Sequence, residues 1–449
     1  MTQNTTICAI STPAGQGGIA VIRVSGPEAI TACNRIFQPL SKEKTVDKQK
    51  PYTLNHGQIM KGDTMLDEVL IAVFHKPHSY TGEDLVEISC HGSIYIQKRI
   101  IEILVEFGAN LAAPGEFTQR AFLNGKLDLM QVEAIADLID SQSEASHKLA
   151  MNNLRGGVSK TIRELRNQLV DLSALIELEL DFSEEDIEFA DRSQLRNLLQ
   201  KIQIEVTELL NSFQLGNAIK NGIPAAIIGK PNVGKSTLLN TLLNDDKALV
   251  SDIPGTTRDS IEDVMTINGI QFRFIDTAGI RQSDDVVESM GIERTYKIIE
   301  KAEIVLYLTD DKNDTEEYNT LKSQFPHKKW LYIINKCDTE ADFNSNQLQI
   351  SAKYHKNIDE LQKKLLHQID FQLTTDKTII SNIRHYNSLQ NIKTALEQVQ
   401  SGLDANLSND LLALDLKNAI NYLSELLGDN AISADEVLGA IFGRFCIGK

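Results

Sequence analysis

The run Pro224-Ala-Ala-Ile-Ile-Gly229-Lys-Pro-Asn232-Val233-Gly234-Lys235-Ser236-Thr237 joins a short apolar segment to a glycine-framed GxxxxGK[ST] pattern. An apolar run this short, closed by glycine, reads as a buried parallel strand. The glycines let backbone N–H groups wrap phosphate oxygens, Lys235 neutralises the outer phosphates, and the Ser236 hydroxyl can ligate Mg2+. Leu238, Leu239, Leu242 and Leu243 then open an amphipathic helix. Strand, glycine loop and helix in this order predict an α/β module that holds a nucleotide by its phosphates.

Two further elements follow in the order such a module needs. Phe272-Arg-Phe-Ile-Asp276-Thr277-Ala278-Gly279 is a strand ending in a carboxylate that can hold Mg2+ through water and a glycine whose N–H can meet the terminal phosphate. Trp330-Leu-Tyr-Ile-Ile-Asn335-Lys336-Cys337-Asp338 is another buried strand, ending in NKxD. A carboxylate accepts hydrogen bonds from guanine N1–H and the 2-amino group, whereas adenine offers an acceptor where Asp338 needs a donor, so the expected nucleotide is GTP. Ser351-Ala352-Lys353, after the strand-like Leu348-Gln-Ile350, stands where a backbone donor to guanine O6 is expected. Cys337 reads as a small space-filler.

Between the glycine loop and Asp276 lies Val250-Ser251-Asp252-Ile253-Pro254-Gly255-Thr256-Thr257-Arg258-Asp259. One of its paired threonines is expected to give Mg2+ a second protein oxygen, and we assign Thr257. Ile280 occupies the place of the water-orienting glutamine of Ras-type proteins and cannot orient water, so hydrolysis needs another group. The segment Arg281 to Arg294 offers carboxylates and an arginine, and spacing does not choose among them.

Outward from this module the periodicity changes. Ile162, Leu165, Leu169, Leu172 and Ile176 step by three and four, as do Leu195, Leu198, Ile202, Val206 and Leu209, and later Leu412, Leu416, Ile420, Leu423 and Leu427. These spacings predict long helices with one buried face on both sides of the module. Gly156-Gly157 predicts a turn between two of them, and Asp181 to Asp186 a solvated acidic loop. The economical arrangement is one helical domain whose halves flank an inserted α/β domain. Residues 1 to about 118 hold short alternating or apolar runs bounded by Gly and Pro, the pattern of a mixed α/β domain.

Composition narrows the class. At about 150 residues per domain, 449 residues make roughly three domains. No apolar run reaches the ~20 residues of a membrane helix, and the N-terminal stretch lacks the pattern of a signal peptide, so a cytoplasmic protein without a membrane partner is expected. The five cysteines, Cys8, Cys33, Cys90, Cys337 and Cys446, form no CxxC pair. A net charge of −17 excludes nucleic-acid binding through a broad basic surface, so any RNA contact must be local.

The motifs GKPNVGKST, SDIPGTTRD, DTAGIR and NKCD resemble the TrmE-Era-EngA type of GTPase. The flanks narrow this. Thr81-Gly-Glu-Asp-Leu-Val-Glu87, Pro114-Gly-Glu-Phe-Thr-Gln-Arg-Ala-Phe-Leu-Asn-Gly-Lys126, Glu133-Ala-Ile-Ala-Asp-Leu-Ile-Asp140 and Phe445-Cys446-Ile447-Gly448-Lys449 resemble the MnmE (TrmE) family of bacterial tRNA uridine-modification GTPases, over essentially the whole chain. The resemblance implies an α/β plus all-α protein in three parts. Residues 1–118 would be an α/β domain that dimerises and binds 5-formyltetrahydrofolate or a related one-carbon folate. Residues 119–216 and 378–449 would be the two parts of a discontinuous helical domain, and residues 217–377 the inserted P-loop GTPase domain.

The resemblance also implies roles that spacing leaves open. Asn232, with Ser251, Ile253 and Thr256, would coordinate K+, placing positive charge where an arginine finger would stand. Glu288 would activate water, with Lys235 as the other catalytic group. Arg23, Glu87, Lys126 and Lys449 would form the folate site. Cys446 could act as a nucleophile toward uridine carbon 6, although a buried structural cysteine is the simpler reading. The implied function is K+-dependent GTP hydrolysis coupled, in a homodimer joined by an FAD-dependent partner of the MnmG (GidA) type in a heterotetramer or larger assembly, to modification of the wobble uridine C5 of certain tRNAs. The alternative is a ribosome-assembly GTPase switch. Against it, helices ending in CIGK follow the module where assembly GTPases carry a KH-like RNA module.

Overall fold

We describe the protein from a computed structural model. The structure describes residues 5–40, 45–181, 192–247, 263–275, 288–311, 314–338, 347–368, 378–405, 407, 409–429, 441–443, 445 and 448. The acidic loop expected from Asp181 to Asp186 lies almost wholly outside them. The chain divides into two compact units, one of Met1–Ile139, Asn153–Leu198 and Ala395–Lys449, the other of Asp140–Asn152 and Leu199–Thr394.

The first unit opens with β1 (Ile7–Ile10), β2 (Gly17–Ser25), α1 (Ala29–Ile36), β3 (Phe37–Pro39), β4 (Leu54–Lys61), β5 (Thr64–Phe74), β6 (Leu85–Gly92), α2 (Ile94–Glu106), β7 (Asn110–Leu111) and α3 (Glu116–Leu123). The strands form one sheet in the order β3-β4-β5-β6-β2-β1-β7, antiparallel except between β1 and β7. Strict alternation in β5, with Val69, Ile71 and Val73 buried and Glu68 and Leu70 exposed, turns one face into a core. The amphipathic α1 and α2 close that face through Ala29, Cys33, Ile36, Ile100 and Leu104.

Helices follow: α4 (Leu129–Asp140), α5 (Glu144–Leu154), α6 (Gly157–Asp181) and α7 (Arg192–Asn221). Gly156, at φ +85°, makes the expected turn between α5 and α6. All five apolar residues read on α6, Ile162 to Ile176, are fully buried. On α7 the buried residue is Leu199, while Leu198 is half-buried, because the four-residue steps Leu195–Leu199 and Ile202–Val206 keep one face inward. The helix runs unbroken past residue 216.

The second unit carries β8 (Ile223–Ile228), α8 (Lys235–Lys247), β9 (Asp263–Ile267), β10 (Ile270–Phe274), α9 (Glu288–Lys301), β11 (Ile304–Thr309), α10 (Glu316–Gln324), β12 (Lys329–Ile334), β13 (Leu348–Gln349) and α11 (Ile358–His367). The sheet order is β13-β12-β11-β8-β10-β9, parallel except for the β9–β10 hairpin. Residues of β8 and β11 feed both faces alternately. Ala225, Ile227, Leu306 and Leu308 pack with α8 and α11, and Ala226, Ile228, Val305 and Tyr307 with α9 and α10. Every residue of β11 is accordingly buried, which is why these strands read as continuous apolar runs.

The chain ends with α12 (Ile383–Asp404) and α13 (Asn409–Leu427). Within the first unit α13 packs along α6, and its Leu412, Leu416 and Leu423 are buried. Phe442 and Phe445 join Leu129 and Val132 in a small core beyond it. Among the described residues no helix is long and apolar enough to cross a membrane.

Candidate functional site

Three of the sequence motifs meet at the C-terminal edge of the parallel strands, beside the point where the chain's strand order reverses on either side of β8 and β11. Such a crevice is where open α/β sheets bind ligands. The glycine loop connects β8 to α8. Gly229 has φ +139°, and a Cβ there would collide with the Leu308 carbonyl of the neighbouring strand. Gly234 has φ +97°, and a Cβ there would collide with the Asn335 amide. Both positions therefore admit only glycine.

Asn335 ties the motifs together. Its Nδ2 donates to the Val233 carbonyl of the glycine loop at 2.8 Å, and its Oδ1 accepts from the Ala352 N–H at 3.0 Å. The residue is 4% exposed, so both ends of the amide are satisfied inside the protein. Thr241 of α8 adds a bond to the Ala352 carbonyl at 2.9 Å. Ser351 Oγ donates to Asp338 Oδ1 at 2.7 Å and so orients the carboxylate expected to read guanine. Lys336 has φ +64°, and its ammonium meets Asp310 at 2.8 Å. Cys337 is buried, in keeping with a space-filling role.

Lys235 Nζ donates to the Gly229 carbonyl at 2.8 Å and the Lys230 carbonyl at 2.7 Å. Burial holds this ammonium below the usual lysine range. Ser236 and Thr237 are exposed in the first turn of α8, and Asn232, at φ +62°, is exposed on the loop. Ser251, Asp252, Ile253, Pro254, Gly255, Thr256 and Thr257, and likewise Asp276, Thr277, Ala278 and Gly279, lie outside the described residues. Glu288 is the first residue of α9, and its side chain lies outside them too.

A second cluster forms in the first unit. Arg23 on β2 stands directly opposite Glu87 on β6, and its Nη2 and Nε donate to Glu87 Oε1 at 2.7 and 3.0 Å. The guanidinium lies 5.1 Å from the Tyr80 ring centroid and 5.7 Å from that of Phe117. Lys126 Nζ reaches the Pro77 carbonyl at 3.1 Å, and Asn124 Nδ2 the Thr81 carbonyl at 2.7 Å, so the turn after α3 fastens the segment before β6 at two points. The TGED motif anchors that segment. Thr81 meets Ser25 at 2.7 Å, and Glu83 accepts from Ser25 at 2.9 Å and from the buried Arg120 at 3.1 Å. The Ser11 hydroxyl donates to the Gly448 carbonyl at 3.0 Å, which brings the C-terminal stretch to β1, the strand that carries Ala9 opposite Arg23. Lys449 and Cys446 lie outside the described residues.

Sequence reasoning missed Tyr80 and Phe117, which no spacing links to Arg23, and left Lys230, Asp310 and Asp314 without roles. A carboxylate directly after a buried parallel strand, as at Asp310, was the available signal. His91 pairs with Asp67 at 2.7 Å at the end of β6.

A family model described as the GTP-binding protein TrmE N-terminus matches residues 6–126, and one described as the MnmE helical domain matches residues 129–446. A protein of Bacteroides thetaiotaomicron named tRNA modification GTPase MnmE is 49% identical over 464 residues, covering 99% of this chain and 99% of its own. A protein of the same name from Flavobacterium johnsoniae is 50% identical over 469 residues, covering 100% of each. With both flanks and the nucleotide motifs matched over the full length, the chain belongs to the MnmE family of tRNA modification GTPases.

Proposed function

We propose that this GTPase is K+-dependent and works as a homodimer with an FAD-dependent partner of the MnmG type. It then modifies C5 of the wobble uridine of certain tRNAs, with a carboxymethylaminomethyl or aminomethyl group built from a folate one-carbon unit. Residues 1–118 form the dimerising and folate-binding domain, residues 119–216 and 378–449 the helical domain, and residues 217–377 the GTPase domain. That the six-stranded sheet lies wholly between Ile223 and Gln349 supports the insertion. Cys8, Cys33, Cys90 and Cys337 are buried thiols, which suits a cytoplasmic setting.

In this reading Asp338 selects guanine, Lys235 leaves its two carbonyl partners for the outer phosphates, and Glu288 takes the proton from water. Ser236 and Thr257 would hold Mg2+, for which hydroxyl oxygens are suitable hard donors. Asn232, Ser251, Ile253 and Thr256 offer only neutral oxygens, a set that suits a large, weakly hydrated monovalent cation. Bound there, K+ supplies positive charge beside the phosphates.

The observation that carries the folate assignment is the Arg23 cluster. A guanidinium beside two aromatic rings and a carboxylate matches a ligand with a flat donor-rich ring and a carboxylate tail. Arg23, Lys126 and Lys449 would meet the tail or formyl oxygen, and Glu87 the ring N–H groups. The test of the whole reading is mass analysis of tRNA nucleosides from cells lacking this protein. Loss of the wobble-uridine C5 modification is expected. Normal nucleosides together with immature ribosomal subunits would overturn the reading in favour of an assembly switch.

A further inference from the structure

Two lysines of the nucleotide motifs are held by carboxylates, and both carboxylates come from the one connection that follows β11. Lys230, second residue of the glycine loop, pairs with Asp314 at 2.7 Å, and Lys336 of NKxD pairs with Asp310 at 2.8 Å. The connection has its own scaffold. Thr309 Oγ1 accepts from the Asp311 N–H at 3.1 Å, and the Tyr332 hydroxyl donates to the carbonyls of Asp311 and Asp314 at 3.3 and 3.1 Å. Tyr332 stacks on Tyr307, whose hydroxyl donates to Glu317 at 2.8 Å. Asp314, at 14% side-chain exposure, is thus offered to Lys230 from a backbone that is fixed at both ends.

We propose that Asp314 and Asp310 are positioning residues of the GTPase, bracing the phosphate-binding loop and the base-reading motif from a single connection. A part-exposed ion pair contributes little by itself. Here, however, the lysine on one side of each pair belongs to a binding motif. Lys230 gives its carbonyl, with that of Gly229, to Lys235, so anchoring the Lys230 side chain fixes the half of the loop on which the phosphate-binding ammonium rests. Lys336 adjoins Asn335, the residue that knits the loop to the Ser351-Ala352-Lys353 segment. A loop held in shape before the nucleotide arrives loses less freedom on binding, which lowers the dissociation constant without touching the chemical step.

The expected result is therefore a split between KM and kcat. In the full-length protein, Asp314→Asn and Lys230→Met should each weaken GDP and GTP binding by about two- to fivefold and raise KM to match, with kcat at saturating GTP changing less than KM. The double variant should be no weaker than either single one, because both remove the same pair. Asp310→Asn should act similarly, and combined with Asp314→Asn its effect should multiply, since the two carboxylates hold different lysines. Asp314→Glu should recover part of the affinity. Binding of a fluorescent GDP analogue, with melting curves to monitor folding, reads all of these. Unchanged or tighter binding by Asp314→Asn would overturn the proposal, as would multiplicative effects of Lys230→Met and Asp314→Asn. Lys230 is more than half exposed, so its variant keeps the test available if an Asp314 variant folds poorly.

Discussion

The two clusters prepare a cation for a ligand in different ways. In the glycine loop Lys235 rests on two neutral backbone carbonyls and is partly desolvated, so an incoming phosphate meets an ammonium with only weak partners to give up. In the N-terminal sheet Arg23 is already paired with a carboxylate and lies against two rings, so a ligand has to share or replace an ion pair. The first cluster is built by consecutive residues whose backbone does the binding. The second is assembled from β2, β6, α3 and the segment before β6, and its side chains are set by one another. Affinity in the first should therefore be governed by local backbone and ion chemistry, and in the second by exchange between charges of similar strength.

The contrast can be broken or sharpened by experiment. The largest effect is expected from the monovalent ion. Replacing KCl by NaCl at equal ionic strength should lower GTP turnover by about 10³- to 10⁵-fold, the range an arginine finger supplies, and Asn232→Ala should remove the difference between the salts. Equal rates in both would leave the neutral-oxygen set around Asn232 without a function. Next comes Glu288→Ala, for which turnover should fall by about 10²- to 10⁴-fold with GTP binding retained, as for loss of a positioned base. Near-normal rates would transfer water activation to Asp284 or Asp285, or leave catalysis to charge stabilisation by Arg281.

Asp338→Asn should move preference from GTP toward XTP by about 1 to 3 kcal/mol, the cost of a mismatched buried hydrogen-bonding pair. A competition assay between the two nucleotides reads it directly, and unaltered GTP preference would show that Asp338 does not read the base. Smallest is the N-terminal cluster. Because Arg23 has Glu87 to fall back on, Arg23→Gln should weaken formyl-folate binding only about fivefold, near the value of a part-exposed ion pair. Calorimetry that finds the ligand bound as well by Arg23→Gln, Lys126→Gln and a chain lacking Lys449 would remove the folate site from this cluster.

The same contrast explains what could be read from sequence. Strand, glycine loop and helix are written consecutively, so the order Pro224 to Thr237 predicts β8, the loop and α8 without tertiary information. The buried face of α6 is likewise periodic, and all its expected members are buried. What periodicity does not encode is the partner of a face. It could not show that α6 meets α13, or that the Leu195 face uses Leu199 in place of Leu198. Tyr80 and Phe117 escaped notice because their relation to Arg23 is created when α3 and the segment before β6 come to β2, and Lys230 because a lysine in an exposed loop carries no signal until its carboxylate is located.

The bond from Ser11 to Gly448 spans 437 residues of chain. At the ~5 to 20 residues per second of ribosomal synthesis, β1 waits roughly 20 to 90 s after it is made for that partner, and α6 waits a little over half as long for α13. Leu199–Thr394, by contrast, finds most of its contacts within a continuous stretch. The order of birth thus runs against the order of the sequence. The nucleotide-binding unit can be complete while the first-made sheet still lacks its closing contact, and a release of the nascent chain before Gly448 would leave an otherwise folded GTPase with the end of β1 unsealed.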